Sequence, residues 1–281
     1  MRVLLLGGTG YLGGNIVHKL VEDGYNLTCV VRNTSDTSRI EQLDVEFISS
    51  ELTEIEIYLK HTSVDWVVNS VCTYKANNTL YGDLLSSNLI FPLSVLNLAV
   101  KYCIKNYITI GTSLPEQLNL YSFAKDKFGQ FGEYLSRTDS INFADLQLEM
   151  FYGGLFEPDN RFLSSCKKKM RNNDIIDLTI GTQKRDIVRV EDVVGLISKL
   201  MASDYLEGYK SLPVGSGEQH TVRDILSYLK NKISSKSELN YGAIPFRSAE
   251  PDTLADISWY KDIGFEPRFG FYEGLDLYSR E

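Results

Sequence analysis

Val3–Leu6 is a short apolar run, and after it the hydrophobic period changes. From Tyr11 to Glu22 the residues Ile16, Val17, Leu20 and Val21 fall on one face of a helix, and Asp23-Gly24 ends it. The same alternation then repeats. Apolar runs at Leu27–Val31, Val45–Ile48, Trp66–Val71 and Tyr107–Ile110 predict strands. Glu54–Lys60 and Leu84–Tyr102 predict the helices between them, the second with Pro92 inside it. Strands separated by helices imply right-handed crossovers and a doubly wound parallel sheet, an α/β fold covered on both faces.

The second half is less regular. Ser122–Leu135 predicts a helix whose Phe128, Phe131 and Leu135 pack in the core, and Asn142–Met150 predicts a strand. From Gly153 the chain is loop-rich, with Gly153-Gly154, Pro158, Pro213, Gly215, Gly217 and Pro251. Residues 1–152 therefore form the main domain, with returns to its sheet near Ile187–Val190 and Lys210–Val214. Residues 153–281 form mainly a smaller lobe. Lys167–Lys169 with Arg171 reads as a solvated helix face.

Composition narrows the classes. Among 281 residues, 29 Lys and Arg against 37 Asp and Glu give a net charge of −8. That balance argues against a nucleic-acid surface, which needs a basic field. No run of 18 apolar residues suggests a membrane span. A strand starting at Val3 leaves no room for a leader peptide. Cys29, Cys72, Cys103 and Cys166 lie far apart, as do His18, His61 and His220, so no metal site is expected. Cys29, Cys72 and Cys103 sit within or beside apolar runs, as buried reduced thiols of a cytoplasmic protein would.

The first strand runs into Gly7-Gly8-Thr9-Gly10-Tyr11-Leu12-Gly13-Gly14 and then a helix. A turn this tight needs residues that accept positive φ, and a pyrophosphate approaches backbone only where no Cβ projects. The N–H groups opening the helix, on Tyr11, Leu12 and Gly13, then face the anion. Gly7, Gly10 and Gly13 thus mark a dinucleotide site. The second strand ends at Arg32, 19 residues beyond Gly13, where an enzyme for NAD commonly has a carboxylate. Read alone, Arg32 is either a surface arginine or a partner for the 2′-phosphate of NADPH. The glycine loop beside it favours NADPH.

Tyr121 and Lys125 are four apart, on one face of a helix, and follow a strand whose end carries Gly111-Thr112-Ser113. Ligands of such sheets bind beyond the carboxyl ends of the strands. A tyrosine, with a pKa of about 10, becomes easier to ionise beside an ammonium. Tyr121 is then a proton donor to a carbonyl oxygen during hydride transfer. Thr112 bonds the same oxygen, and Lys125 also holds the nicotinamide ribose.

With these residues in place, the chain resembles the extended short-chain dehydrogenase/reductases, a Rossmann-type family acting on nucleotide sugars. The resemblance covers nearly the whole chain. Gly7–Gly13 matches the glycine loop, and Tyr121, Lys125 and Thr112 match the catalytic set. Glu51-Leu52 stands where the family has Asp-Leu beside the adenine, and Asn88 matches a helix asparagine. Arg185-Asp186-Ile187-Val188-Arg189-Val190-Glu191-Asp192 is similar to the family's Arg-Asp signature, which implies that Arg185 contacts a sugar-nucleotide diphosphate. By its own chemistry Arg185 suits bidentate phosphate binding or a salt bridge within the lobe. The 4,6-dehydratases carry Thr-Asp-Glu where this chain has Thr112-Ser113-Leu114, so their elimination machinery is absent. Leu146–Gly153 and Gln183–Asp186 resemble the CDP-abequose and CDP-paratose synthases.

The resemblance implies NADPH-dependent reduction of a 4-keto group on a CDP- or dTDP-linked deoxyhexose, with Thr112, Ser113 and Arg185 contacting substrate. It further implies a place in surface-polysaccharide (O-antigen) sugar biosynthesis. The apolar helices Leu84–Tyr102 and Ser122–Leu135 imply a homodimer. Two other readings stay open: a 4-epimerase that keeps NAD tightly bound, and a non-catalytic NADPH-sensing protein on the same fold.

Overall fold

The computed structural model describes residues 1–74, 80–139, 141–245 and 251–281. Six strands run in order through the first half: β1 (Arg2–Leu6), β2 (Asn26–Val31), β3 (Val45–Ser49), β4 (Trp66–Asn69), β5 (Asn106–Ile110) and β6 (Asn142–Leu148). The second half adds β7 (Met150–Tyr152), β8 (Ile176–Leu178), β9 (Lys184–Arg189), β10 (Tyr209–Val214), β11 (Gln219–Thr221) and β12 (Leu239–Tyr241). The main sheet has seven strands in the order β10-β6-β5-β4-β1-β2-β3, every pairing parallel. Chain order reverses between β1 and β4, which opens a crevice beyond the carboxyl ends of the strands.

Nine α-helices surround the sheets among the described residues. They are α1 (Tyr11–Glu22), α2 (Leu52–His61), α3 (Tyr81–Leu85), α4 (Phe91–Lys101), α5 (Leu120–Thr138), α6 (Phe162–Asn172), α7 (Val190–Met201), α8 (Val222–Ile233) and α9 (Phe271–Arg280). The uninterrupted apolar run of β1 has a physical reason. Val3 and Leu5 face the cluster built with Ile16, Leu20, Ile197 and Leu200 of α1 and α7, whereas Leu4 and Leu6 face Ile55, Val95 and Phe128 of α2, α4 and α5. Both faces are covered, so neither tolerates a polar residue. A third cluster, around Leu163, Met170, Leu226 and Leu275, holds α6, α8 and α9 together in the smaller lobe.

Several sequence expectations need correction. The Ile187–Val190 region does not return to the main sheet: β9 lies in a three-stranded sheet, parallel to β7 and antiparallel to β11. Its fully buried Asp186 explains this, because the carboxylate accepts the N–H groups of Ser216, Gly217 and Ala255 from the lobe. The Lys210–Val214 return is present, as β10 beside β6. The predicted strand Asn142–Met150 divides at Glu149, where the chain leaves the main sheet for the small one. The predicted helix Leu84–Tyr102 is a longer rod from α3 to α4, with a widened π turn at Ser86–Ile90 immediately before Pro92. Proline donates no N–H and crowds the preceding turn, which a widened turn relieves.

The rod spans 21 residues with a mean hydropathy of 1.4 in its most apolar window, long and apolar enough to cross a membrane by length and composition. No such segment was expected. A third of that window is buried in this chain. Phe128 lies in the core, but Phe131 is 44% exposed and joins Phe123 and Tyr134 on the outer arc of α5. Cys29 and Cys166 are buried, whereas Cys72 and Cys103 are exposed, since neither falls within a strand or helix. Lys167 is not simply solvated: its ammonium lies 3.5 Å from the centroid of the Tyr278 ring.

Candidate active site

The crevice holds a cavity of about 760 Å³. Strand order sets out its contents along the sheet: Arg32 after β2, the glycine loop after β1, Ser70–Tyr74 after β4, Thr112–Leu114 after β5 and Glu149 after β6. Arg185 and Thr253 close it from the lobe.

Gly7 adopts φ 83°, and its carbonyl accepts the Gly10 N–H at 3.0 Å. A Cβ on Gly13 would collide with that carbonyl, so α1 can approach the loop only with glycine there. Gly10 caps α1 without a side chain. The first-turn N–H groups of Tyr11, Leu12 and Gly13 therefore remain for a ligand at the positive end of the helix dipole. This cradle fits a dinucleotide pyrophosphate. Tyr11 also ties the loop to the lobe. Its hydroxyl donates to the Gly153 carbonyl at 2.6 Å, and its ring stacks on Phe151.

Arg32 lines the cavity from an exposed position, and its N–H donates to the Ser35 hydroxyl at 3.1 Å. Ser35 lines the cavity too and adds a donor that the sequence reading missed. Glu51 and Leu52 are exposed at the start of α2, and the neighbouring cavity wall is Ser50 instead. The loop after β4 is pinned by the fully buried Asn88, which accepts the Thr73 N–H and donates to the Thr73 carbonyl.

Asn119 and Ser122 form a reciprocal capping box that fixes the start of α5. Tyr121 consequently stands in the first turn and Lys125 one turn later, both buried and both in the cavity wall with Thr112 and Ser113. The Lys125 ammonium donates to the carbonyls of Val71 at 2.9 Å and Ile110 at 2.8 Å, joining the ends of β4 and β5. Burial lowers its pKa. Tyr121 differs from expectation. Burial, reinforced by Tyr74 and Cys72, raises its pKa well above the ordinary phenol value, and a hydrogen bond from Thr112 opposes this only in part. Lys125 is not among the groups that act on it, and the buried environment favours the phenol over the phenolate. The Tyr74 ring rests 4.5 Å from it. The Thr112 hydroxyl also accepts the Leu114 N–H at 3.3 Å, which shapes the turn.

Arg185 reaches the cavity from β9 and donates to the carbonyls of Lys184 and Pro251 at 2.9 and 2.6 Å. The rest of its sequence motif is architectural. Arg189 pairs with Glu191 and Glu281, and Asp192 accepts the N–H groups of Arg268 and Phe269.

Two buried carboxyls escaped the sequence reading. Burial pushes Glu149, in the cavity wall, up to about 7. Asp145 on β6 is also pushed up to about 7 by burial, against the pull of Lys125. A Cβ at Gly111 or Gly129 would strike its carboxylate. The available signal was an acidic residue interrupting an apolar run, at Asp145 and again at Glu149.

Comparison with known proteins agrees with this geometry. The family model described as NAD dependent epimerase/dehydratase family matches residues 3–215. CDP-abequose synthase of Salmonella muenchen is 24% identical, over 98% of this chain and 95% of that protein. GDP-L-fucose synthase 1 of Arabidopsis thaliana is 22% identical, over 98% of this chain and 90% of that protein. Among solved structures, UDP-glucose 4-epimerase with UDP-glucose from Thermotoga maritima has a TM-score of 0.85 at 20% identity, covering 100% of this chain and 98% of that one.

Proposed function

The chain belongs to the NAD dependent epimerase/dehydratase family, and from that premise we propose that it reduces the 4-keto group of a nucleotide-linked deoxyhexose with NADPH. The observation that carries the reading is the convergence of Thr112, Tyr121 and Lys125 on one cavity with the glycine loop. A bound nicotinamide dinucleotide supplies the hydride. The Tyr121 hydroxyl, held protonated by burial, donates its proton to the carbonyl oxygen that becomes the alcohol. The Thr112 hydroxyl hydrogen-bonds the same oxygen and orients it. Lys125 braces the loops after β4 and β5 and reaches toward the nicotinamide ribose. Arg185 takes the diphosphate, and Ser113 contacts the sugar beside Thr112.

Reduction is favoured over dehydration because Ser113 and Leu114, rather than two acids, follow Thr112. NADPH is favoured because Arg32, and no carboxylate, ends β2. In this reading Glu51 and Leu52 flank the adenine from their exposed position at the start of α2, outside the cavity wall. CDP-abequose synthases are among the relatives that match nearly end to end, which supports a CDP-linked sugar of surface polysaccharide as substrate. A homodimer is part of this reading. Phe123, Phe131 and Tyr134 of α5, with Tyr81 and Ile90 of the adjacent rod, expose apolar surface that a second copy would cover.

The test is NADPH consumption by the purified chain with CDP- and dTDP-linked 4-keto-deoxyhexoses. Net consumption with one of them supports the reading. NAD that stays bound through purification, with no net NADPH use, would instead favour the epimerase. NADPH binding without turnover on the whole panel would favour the sensor.

A further inference from the structure

Glu149 occupies the junction between the two sheets. β6 ends at Leu148, β7 begins at Met150, and the Glu149 N–H donates to the Val214 carbonyl of β10 at 2.9 Å. This fixes the backbone and leaves a carboxyl that is 6% exposed in the cavity wall. Four side chains face it from the surrounding elements: Ser113 after β5, Arg185 and Asp186 of β9, and Thr253. Burial raises its pKa most and Asp186 adds to the rise, while the Ser113 and Thr253 hydroxyls and Arg185 oppose it. Thr253 is itself buried and lines the cavity, and its hydroxyl has no partner of good hydrogen-bond geometry among the described residues.

Hydride, proton and diphosphate were all assigned without Glu149. Its place is between those assignments. Ser113, beside it, is the neighbour of Thr112, which takes the carbonyl. Arg185, on its other side, takes the diphosphate. The hexose ring has to lie between these two points. The Ser113 and Thr253 hydroxyls use only part of what a carboxyl can accept, so a ring hydroxyl in the cavity would find an acceptor at Glu149.

We propose that Glu149, with Thr253, forms the subsite that hydrogen-bonds the ring hydroxyls of the hexose. This rests on the nucleotide-sugar reading above. Glu149 is a substrate-binding residue in this assignment and moves no proton.

The test is calorimetric binding to the full chain saturated with NADP, comparing CDP with CDP-glucose and dTDP with dTDP-glucose. The unaltered chain is expected to bind at least one hexose conjugate more tightly than its bare diphosphate. Glu149→Leu should cut that margin by roughly 10-fold and leave bare diphosphate unchanged. Glu149→Gln keeps the shape, so it should retain most of the margin. It should also abolish the change in margin seen between about pH 6 and about pH 8, where a carboxyl of this pKa titrates. A margin unaltered in Glu149→Leu, or absent from the unaltered chain, overturns the subsite. So does a Glu149→Gln chain that binds normally but has lost turnover, since that would make Glu149 an acid or base. If no keto-sugar is turned over but the margin still depends on Glu149, the reductase reading falls and the subsite stands.

Discussion

The two ends of the cavity are built in opposite ways. The pyrophosphate cradle comes from one continuous stretch, Gly7 to Gly13, braced by the buried Val3–Leu6 of β1 and by α1. The end proposed to hold the sugar is assembled from Thr112, Glu149, Arg185 and Thr253, which line the cavity from four separate segments. A pyrophosphate is the same in every dinucleotide, so a short rigid cradle suffices. A sugar site must fit one ring among many, and separate segments can be altered one at a time.

Altering one end should leave the other intact, and the largest effect is expected at Tyr121. Tyr121→Phe keeps the ring and removes the hydroxyl. Turnover should fall roughly 10²–10⁴-fold while NADPH binding, followed by fluorescence titration, is unchanged. An unaltered turnover number would show that another group gives the proton. At the opposite end, Arg32→Ala should weaken NADPH by about 10- to 100-fold and leave NADH alone, because one charge-assisted contact is lost. Equal loss of both cofactors would move the 2′-phosphate elsewhere.

Asp145 is buried on β6 behind Gly111 of the cavity wall, and its titration sharpens the comparison as a matter of stability. Its folded pKa of about 7 stands above the ordinary 3.8. The folded chain therefore holds a proton that the unfolded chain gives up, so this residue makes stability fall as pH rises from about 4 to about 7. Glu149, also near 7, acts with the same sign. Urea midpoints should decline over that range, and less steeply in Asp145→Asn. A decline of equal slope would mean that Asp145 does not contribute. The smallest effect on the cavity is expected from Phe131→Asp with Tyr134→Asp on the outer arc of α5. Light scattering should change from dimer to monomer while NADPH affinity at Arg32 is retained. A monomeric unaltered chain would remove the pairing altogether.

The reach of the sequence follows the same division. The alternation of apolar strands and amphipathic helices, the glycine cradle and the Tyr121–Lys125 spacing depend on neighbours a few residues apart, and all were legible. The sheet that β9 joins was not, because nothing in Lys184–Arg189 reveals that Asp186 is claimed by N–H groups at Ser216, Gly217 and Ala255. Nor could the pattern of Ser122–Leu135 tell that Phe131 faces outward, since a helical stripe specifies a face but not what covers it.

By itself the sequence determined the parallel α/β order, the glycine loop and the Tyr121–Lys125 spacing on one helix, because local sterics and periodicity act over short spans. Only the tertiary structure decided the environment those residues meet. Burial, a property of the assembled chain, favours the Tyr121 phenol, where a pull from Lys125 was expected. The fold also brought the carboxyl of Glu149 beside Ser113, Arg185 and Thr253, where no spacing along the chain could have placed it.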